Sequence, residues 1–206
     1  MNILAISPHP DDAELGCGAS LSKFISEGHK IYHAALCAAE NIGSKKVPVD
    51  SRWEEFKKAQ RVLGIANDCL SMMPYTHRKL YKDRSKILDL MIGIKGYFKV
   101  DMVFTPCIND LHQDHAVATA EALRVFKGVS ILGYEMVWNN LQFKAQSFIK
   151  VSSTDMQRKI DALAEYKTQA DKPYMQSDFS TASAKFRGVQ IGTRFAEAFE
   201  VIRWVQ

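Results

Sequence analysis

One turn near the start limits what this chain can become. The run Ile3-Leu4-Ala5-Ile6 is short and continuously apolar, which suits a strand buried on both faces. It leads at once into Pro8-His9-Pro10-Asp11-Asp12-Ala13-Glu14-Leu15-Gly16-Cys17-Gly18. Beyond that turn the apolar residues Leu15, Ala19, Leu21 and Ile25 fall near helical spacing, so the order is strand, polar turn, helix. One imidazole and two adjacent carboxylates therefore stand at the C-terminal end of a strand, where open α/β sheets hold their ligands. Packing does not require such a group. Neighbouring carboxylates repel and are costly to desolvate, so a cation is their natural partner, and the nearby histidine favours a transition metal such as zinc over calcium.

The rest of the chain continues the alternation. A helix over Glu14 to Glu27 stops at Gly28, and a second strand is expected over Lys30 to Ala38. The polar loop Ala39 to Pro48 reads as mobile. Asp50 or Ser51 can cap a helix over Trp53 to Leu63 that ends at Gly64, and a weaker strand follows over Asp68 to Met73. Arg84 to Phe98 reads as a helix and Met102 to Thr105 as a short strand closed by Pro106. A second polar cluster comes directly after it: Asn109-Asp110-Leu111-His112-Gln113-Asp114-His115. A helix over Ala116 to Phe126, a strand over Val129 to Tyr134, a helix over Asp155 to Gln169, a helical stretch near Ala182 and a last strand over Ala198 to Val205 complete the pattern. Strands alternating with helices predict an α/β fold with a mostly parallel sheet flanked by helices. At 206 residues the default is a single domain, 1–206.

Composition narrows the function classes. A hydrophobic fraction of 47% with 24% charged residues excludes disorder and coiled coil. The net charge of +4 is small and its basic residues are dispersed, so neither nucleic acid nor a membrane surface is an expected partner. No run approaches a membrane span and no secretory leader is visible, which predicts no membrane insertion and a cytoplasmic protein. Cys17, Cys37, Cys69 and Cys107 form no C-x-x-C pair and read as reduced, mostly buried thiols.

The two polar clusters carry the chemistry. His9 and Asp12, three positions apart, can face one ion from a turn, and His115 would complete a set of two histidines and one carboxylate that leaves positions open for water and substrate. Asp11 is then placed to act as general base on the metal-bound water. His112 can face the substrate oxygen, and Asp114 can hydrogen-bond and orient one imidazole of its own cluster. A Lewis acid, a base and an oxyanion donor are the apparatus for hydrolysing an amide. His29, His33 and His77 lack acidic companions at ligand spacing and read as structural. Arg52 and Glu55 read as an ion pair on a helix surface, and Gly16-Cys17-Gly18 lacks the third glycine of a dinucleotide fingerprint.

These motifs resemble the LmbE-like or PIG-L-like zinc-dependent N-deacetylases of N-acetylglucosaminyl compounds. The resemblance rests on Pro8 to Asp12 with Glu14 to Gly18 and on His112 to His115. It extends to Arg52 to Glu55, Ala59 and Val62 to Gly64, and more loosely to Lys159, Ala162-Leu163, Tyr166, Gln169 and Ala196 to Phe199. It implies a Rossmann-like fold, one zinc or other divalent transition ion per chain on His9, Asp12 and His115, Asp11 as base and His112 on the oxyanion. It further implies Arg52 and Glu40 as substrate contacts, although Ala13 and Ala39 depart from the family pattern. The expected activity is removal of the acetyl group from an N-acetylated amino sugar or its conjugate, a small-molecule partner, with a homo-oligomer compatible. The alternatives are a deacylase of a non-sugar amide and a non-catalytic metal- or nucleotide-binding protein.

Overall fold

Strand β1 (Asn2–Ser7) sends Ile3 and Ala5 into one apolar layer and Leu4 and Ile6 into another, all of them buried. That is how a continuous apolar run behaves in a sheet covered on two sides. The computed structural model describes residues 1–42 and 45–206. After β1 come α1 (Asp12–Ser26), β2 (Lys30–Ala35), the two-residue strands β3 (Asn41–Ile42) and β4 (Lys45–Lys46), α2 (Val49–Leu63), β5 (Leu70–Met72) and α3 (Arg84–Phe98). Then follow β6 (Met102–Pro106), α4 (Gln113–Val125), β7 (Ser130–Tyr134), β8 (Ser147–Lys150), α5 (Ser153–Leu163), α6 (Ser177–Val189) and β9 (Ala196–Arg203).

Seven strands form one sheet in the order β5-β2-β1-β6-β7-β9-β8, in a single α/β domain. The first five run parallel to one another, whereas β9 runs antiparallel to both β7 and β8. The mostly parallel sheet expected from the alternation is thus present, with an antiparallel edge added. Strand β8 escaped prediction because its residues are only partly buried and carry no apolar run. Helices α1, α2 and α5 bury Leu21, Phe56 and Leu163 on one face, and α3 and α4 bury Ile87, Met91 and Ala122 on the other. The expected helix over Asp155 to Gln169 is shorter: α5 ends at Leu163, and Lys167–Gln169 is a separate 3-10 turn. Of the loop expected to be mobile, residues 43 and 44 lie outside the described residues. No helix is long and apolar enough to cross a membrane among the described residues.

The Gly16-Cys17-Gly18 segment has a packing explanation. A Cβ on Gly16 would lie 2.3 Å from Cδ2 of the buried Tyr134, so only glycine fits there. Next to it α1 bends at Cys17 (φ −146°, ψ 16°), which breaks the helical ladder of the following turn. The Ala19 and Ser20 amides donate instead to the Glu197 carboxylate at 3.2 and 2.7 Å. Lys159 Nζ donates to the Leu15 carbonyl at 2.6 Å and to Glu197 at 2.7 Å. A buried ion pair from α5 and β9 thereby satisfies the backbone groups at the bend.

Candidate metal and active site

The chain passes from β1 outward through β2 to β5, then returns to the other side of β1 with β6. Between β1 and β6 the strand order reverses, and in open α/β sheets the crevice beyond the strand ends at such a point is the ligand site. The two polar clusters leave these two strands. His9, Asp11 and Asp12 follow β1, and Asp110 to His115 follow β6. The structure brings the clusters together although they are more than a hundred residues apart.

His9 Nδ1 lies 3.0 Å from Asp12 Oδ2, His115 Nε2 lies 3.3 Å from the same oxygen, and the two ring nitrogens are 3.4 Å apart. A tetrahedral ion with bonds of about 2.0–2.1 Å has ligand atoms roughly 3.3–3.4 Å from one another, so these three atoms are spaced to hold one metal ion. The opposite nitrogen of each ring is held by a carboxylate: His9 Nε2 by Asp114 Oδ2 at 3.1 Å and His115 Nδ1 by Asp110 Oδ2 at 2.7 Å. Such partners fix the tautomer and raise the basicity of a ligating imidazole. Asp114 therefore orients His9 from the other cluster, rather than an imidazole of its own. The role expected of Asp114 falls to Asp110, which the sequence reading passed over. Asp110 Oδ1 also accepts the His112 amide at 2.8 Å, so one side chain organises the whole second cluster.

Electrostatics agree with a cation at this point. Burial opposes protonation of His115, but Asp12 and Asp110 outweigh it and push its pKa up to about 10. His9 is raised in the same way, burial being overcome by Asp12 and Asp114. Burial also opposes ionisation of Asp12, yet His115 and His9 hold its carboxyl well below the usual range. His112 differs. Burial, then the charges of His9 and His115, lower it to about 4, so it is neutral at ordinary pH. Its Nδ1 accepts the Asp114 amide at 3.1 Å as the N-cap of α4, which leaves the proton on Nε2.

Asp11 occupies a backbone conformation that side chains rarely adopt, φ 100° and ψ −26°, at a typical cost of about 1–3 kcal/mol. Burial raises its carboxyl to about 7, with Arg52 opposing and Asp12 and Glu14 adding to the shift. Arg52 is not on a surface. It is fully buried, and its guanidinium donates to the carbonyls of Ala38 (3.1 Å) and Pro10 (3.0 Å), to Glu55 (3.0 Å), to Thr168 (2.8 Å) and to Asp11 (3.4 Å). The expected surface pair with Glu55 is thus a buried brace for the Asp11 turn. Neither Arg52 nor Glu40 lines the cavity over His9, Asp12 and His115, whereas Ala39 does.

That cavity, about 220 Å³, has His9, Asp11, Asp12, His112 and His115 at its base and Trp138, Gln169, Lys172 and Tyr174 in its walls. Trp138 stacks on Tyr174 with centroids 4.0 Å apart. Trp138, Lys172 and Tyr174 come from segments after β7 and α5 without a local motif, so sequence reasoning had no signal for their place here, and Gln169 entered only through the looser part of the resemblance. Two of the three histidines read as structural behave so: His33 is buried between Ser7 (2.7 Å) and Gln60 (2.8 Å), and His29 meets the N-terminal amine at 3.2 Å. The third, His77, lines the cavity.

Comparison with known proteins identifies the family. A family model described as PIG-L, GlcNAc-PI de-N-acetylase, matches residues 4–127, a span that contains both clusters. The chain is 34% identical over 170 residues to an uncharacterised deacetylase, YaiS, of Escherichia coli K12, covering 81% of this chain and 90% of that protein. Among solved structures it is similar to the conserved protein TT1542 of Thermus thermophilus, with a TM-score of 0.83 at 25% identity over 99% of this chain and 96% of that one. It is also similar in fold to the N,N'-diacetylchitobiose deacetylase of Pyrococcus horikoshii, with a TM-score of 0.80 at 20% identity over 98% of this chain and 83% of that one. By its motifs, by the family match and by its kinship to YaiS, the chain belongs to the PIG-L family of deacetylases.

Proposed function

We propose that the protein is a zinc-dependent N-deacetylase that releases acetate and a free amine from an N-acetylated amino sugar or its conjugate. The observation that carries this reading is the convergence of His9 Nδ1, Asp12 Oδ2 and His115 Nε2, each imidazole backed by a carboxylate, next to a buried base and a neutral imidazole donor. Nitrogen and carboxylate donors in this number favour zinc among common divalent ions and leave part of its coordination open. An ion held there supplies Lewis acidity, polarising a carbonyl oxygen and making water more acidic.

The protein's own groups do the rest. The Asp11 carboxylate accepts a proton from the attacking water as its oxygen bonds to the acetyl carbon. His112 Nε2–H donates to the carbonyl oxygen as it becomes anionic, and the neutral state of this ring suits that role. When the C–N bond breaks, Asp11 returns its proton to the departing nitrogen, so acetate and amine leave in balance. Arg52 acts as a positioning residue, keeping Asp11 in its unfavourable backbone conformation. The small cavity takes the acetamido end of a substrate between its polar base and the Trp138 and Tyr174 walls. The four unpaired cysteines support a cytoplasmic location.

The test is a panel of N-acetylated sugars, nucleotide sugars, glycosides and simple non-sugar amides, assayed for amine and acetate with and without a chelator. Chelator-sensitive release from sugar derivatives is expected. Release from non-sugar amides alone would transfer the reading to a general deacylase, and nucleotide affinity without turnover would overturn it.

A further inference from the structure

His77 has no ligand neighbours along the sequence, yet its position is built with some care. It lies in the loop before the 3-10 turn Leu80–Asp83, and that loop is tied to the start of α4. The Arg78 amide donates to Asp114 Oδ2 at 2.6 Å and the Leu80 amide to Asp114 Oδ1 at 3.2 Å. His77 and His112 flank His9 with their rings parallel, 2° apart in orientation, each edge-on to His9 with centroids 4.8 Å away. Ligand atoms of His77, His112, Asp114 and His9 all lie within 4.8 Å of one another.

From this geometry we propose that His77, His112 and Asp114 form a second divalent-cation site, weaker than the centre at His9, Asp12 and His115, whose occupancy stops deacetylation. Two imidazoles and a carboxylate select zinc-like ions over magnesium. Asp114 has capacity for it: a carboxylate offers about four lone-pair sites, and three are taken by Arg78, Leu80 and His9. His9 serves the first site through Nδ1 and separates the two ions. Ligation by His112 Nε2 requires its proton to move to Nδ1, which gives up the cap from the Asp114 amide. That loss makes the second site the weaker one. It also removes the Nε2–H that deacetylation uses, so the inhibitory half of the proposal rests on the role of His112 given above, and the binding half does not.

Zinc titrated calorimetrically into metal-free protein, with acetate release followed in parallel, tests both halves. Wild type is expected to take up a first ion tightly and then a second, and activity should rise with the first and fall with the second. His77→Gln should lose only the second uptake, and with it the fall in activity. Magnesium should produce no second uptake in either protein. Saturation of wild type by one zinc, retention of the second ion by His77→Gln, or equal uptake of magnesium at that step would overturn the site. Uptake that depends on His77 without loss of activity would overturn the inhibition and the role of His112. Absence of acetate release at every zinc level would count against the proposed function, while the site would still stand or fall by the calorimetry.

Discussion

Replacing Arg52 by alanine separates a brace from a substrate contact. The guanidinium is fully buried and donates to two carbonyls, two carboxylates and a hydroxyl, with Tyr166 under it, its ring centroid 5.5 Å from Cζ. Removing it leaves Asp11 and Glu55 without their buried cation, and losing one partner of a buried pair costs about 3–5 kcal/mol. That is a large share of the roughly 5–15 kcal/mol by which a domain is stable. With a urea m-value of about 3 kcal/mol/M for a chain of this size, the unfolding midpoint should drop by about 1–2 M. In whatever protein remains folded, the Asp11 turn loses its hold on the Pro10 carbonyl, so kcat should fall more than KM rises. Urea unfolding followed by circular dichroism, with steady-state kinetics on the same preparations, gives both numbers. A midpoint within experimental error of wild type together with an increase confined to KM would refute the reasoning and return Arg52 to the substrate.

Further outcomes follow from other parts of the molecule. Asp110→Ala should weaken the first metal site by about 10- to 100-fold, because it unties His115 without removing a ligand; competition with a chromophoric chelator measures this, and unchanged affinity would contradict the assignment. Lys159→Met should destabilise by about 3–5 kcal/mol, since Glu197 is left charged and buried at the bend of α1; thermal unfolding reads it, and a change under about 1 kcal/mol would show that the bend holds without the pair. Burial above all holds Cys17, Tyr134 and Tyr166 well above their ordinary values, so the folded chain keeps protons that the unfolded chain releases. Their contribution to stability is complete below the unfolded values of about 8.5 for a thiol and 10 for a phenol, and it declines as pH rises past them. The urea midpoint should therefore fall between about pH 9 and pH 11, less steeply in Tyr134→Phe, and equal slopes for the two proteins would contradict this.

The three residues proposed to hold the metal were legible in the sequence because each half of the site is local: a few residues, directly after a strand, too polar for packing. Topology supplied the rest, since parallel strands on either side of a reversal point deliver their loops to one crevice. Relations across the fold were not legible. Asp114 turns to His9, 105 positions away, and Arg52 to Asp11, 41 positions away, so their roles depend on which loops meet. A polar helix start such as Arg52 to Glu55 looks solvated until the loop that covers it is known. Strand direction is equally absent from local pattern: Ala198 to Val205 reads as a strand in either orientation, and only the paired registers show β9 antiparallel. His77 looked structural because its companions belong to a segment 35 positions on.

Acetate release by Asp11→Asn, measured on protein whose zinc content is determined in the same sample, bears most directly on the proposed chemistry. Asparagine keeps the size of the side chain and removes its basicity, and Asp11 is not among the three residues proposed to hold the ion. Zinc should remain near one ion per chain while kcat falls by about 10² or more, the scale of a lost general base. Near-normal turnover with zinc in place would contradict the mechanism at its base.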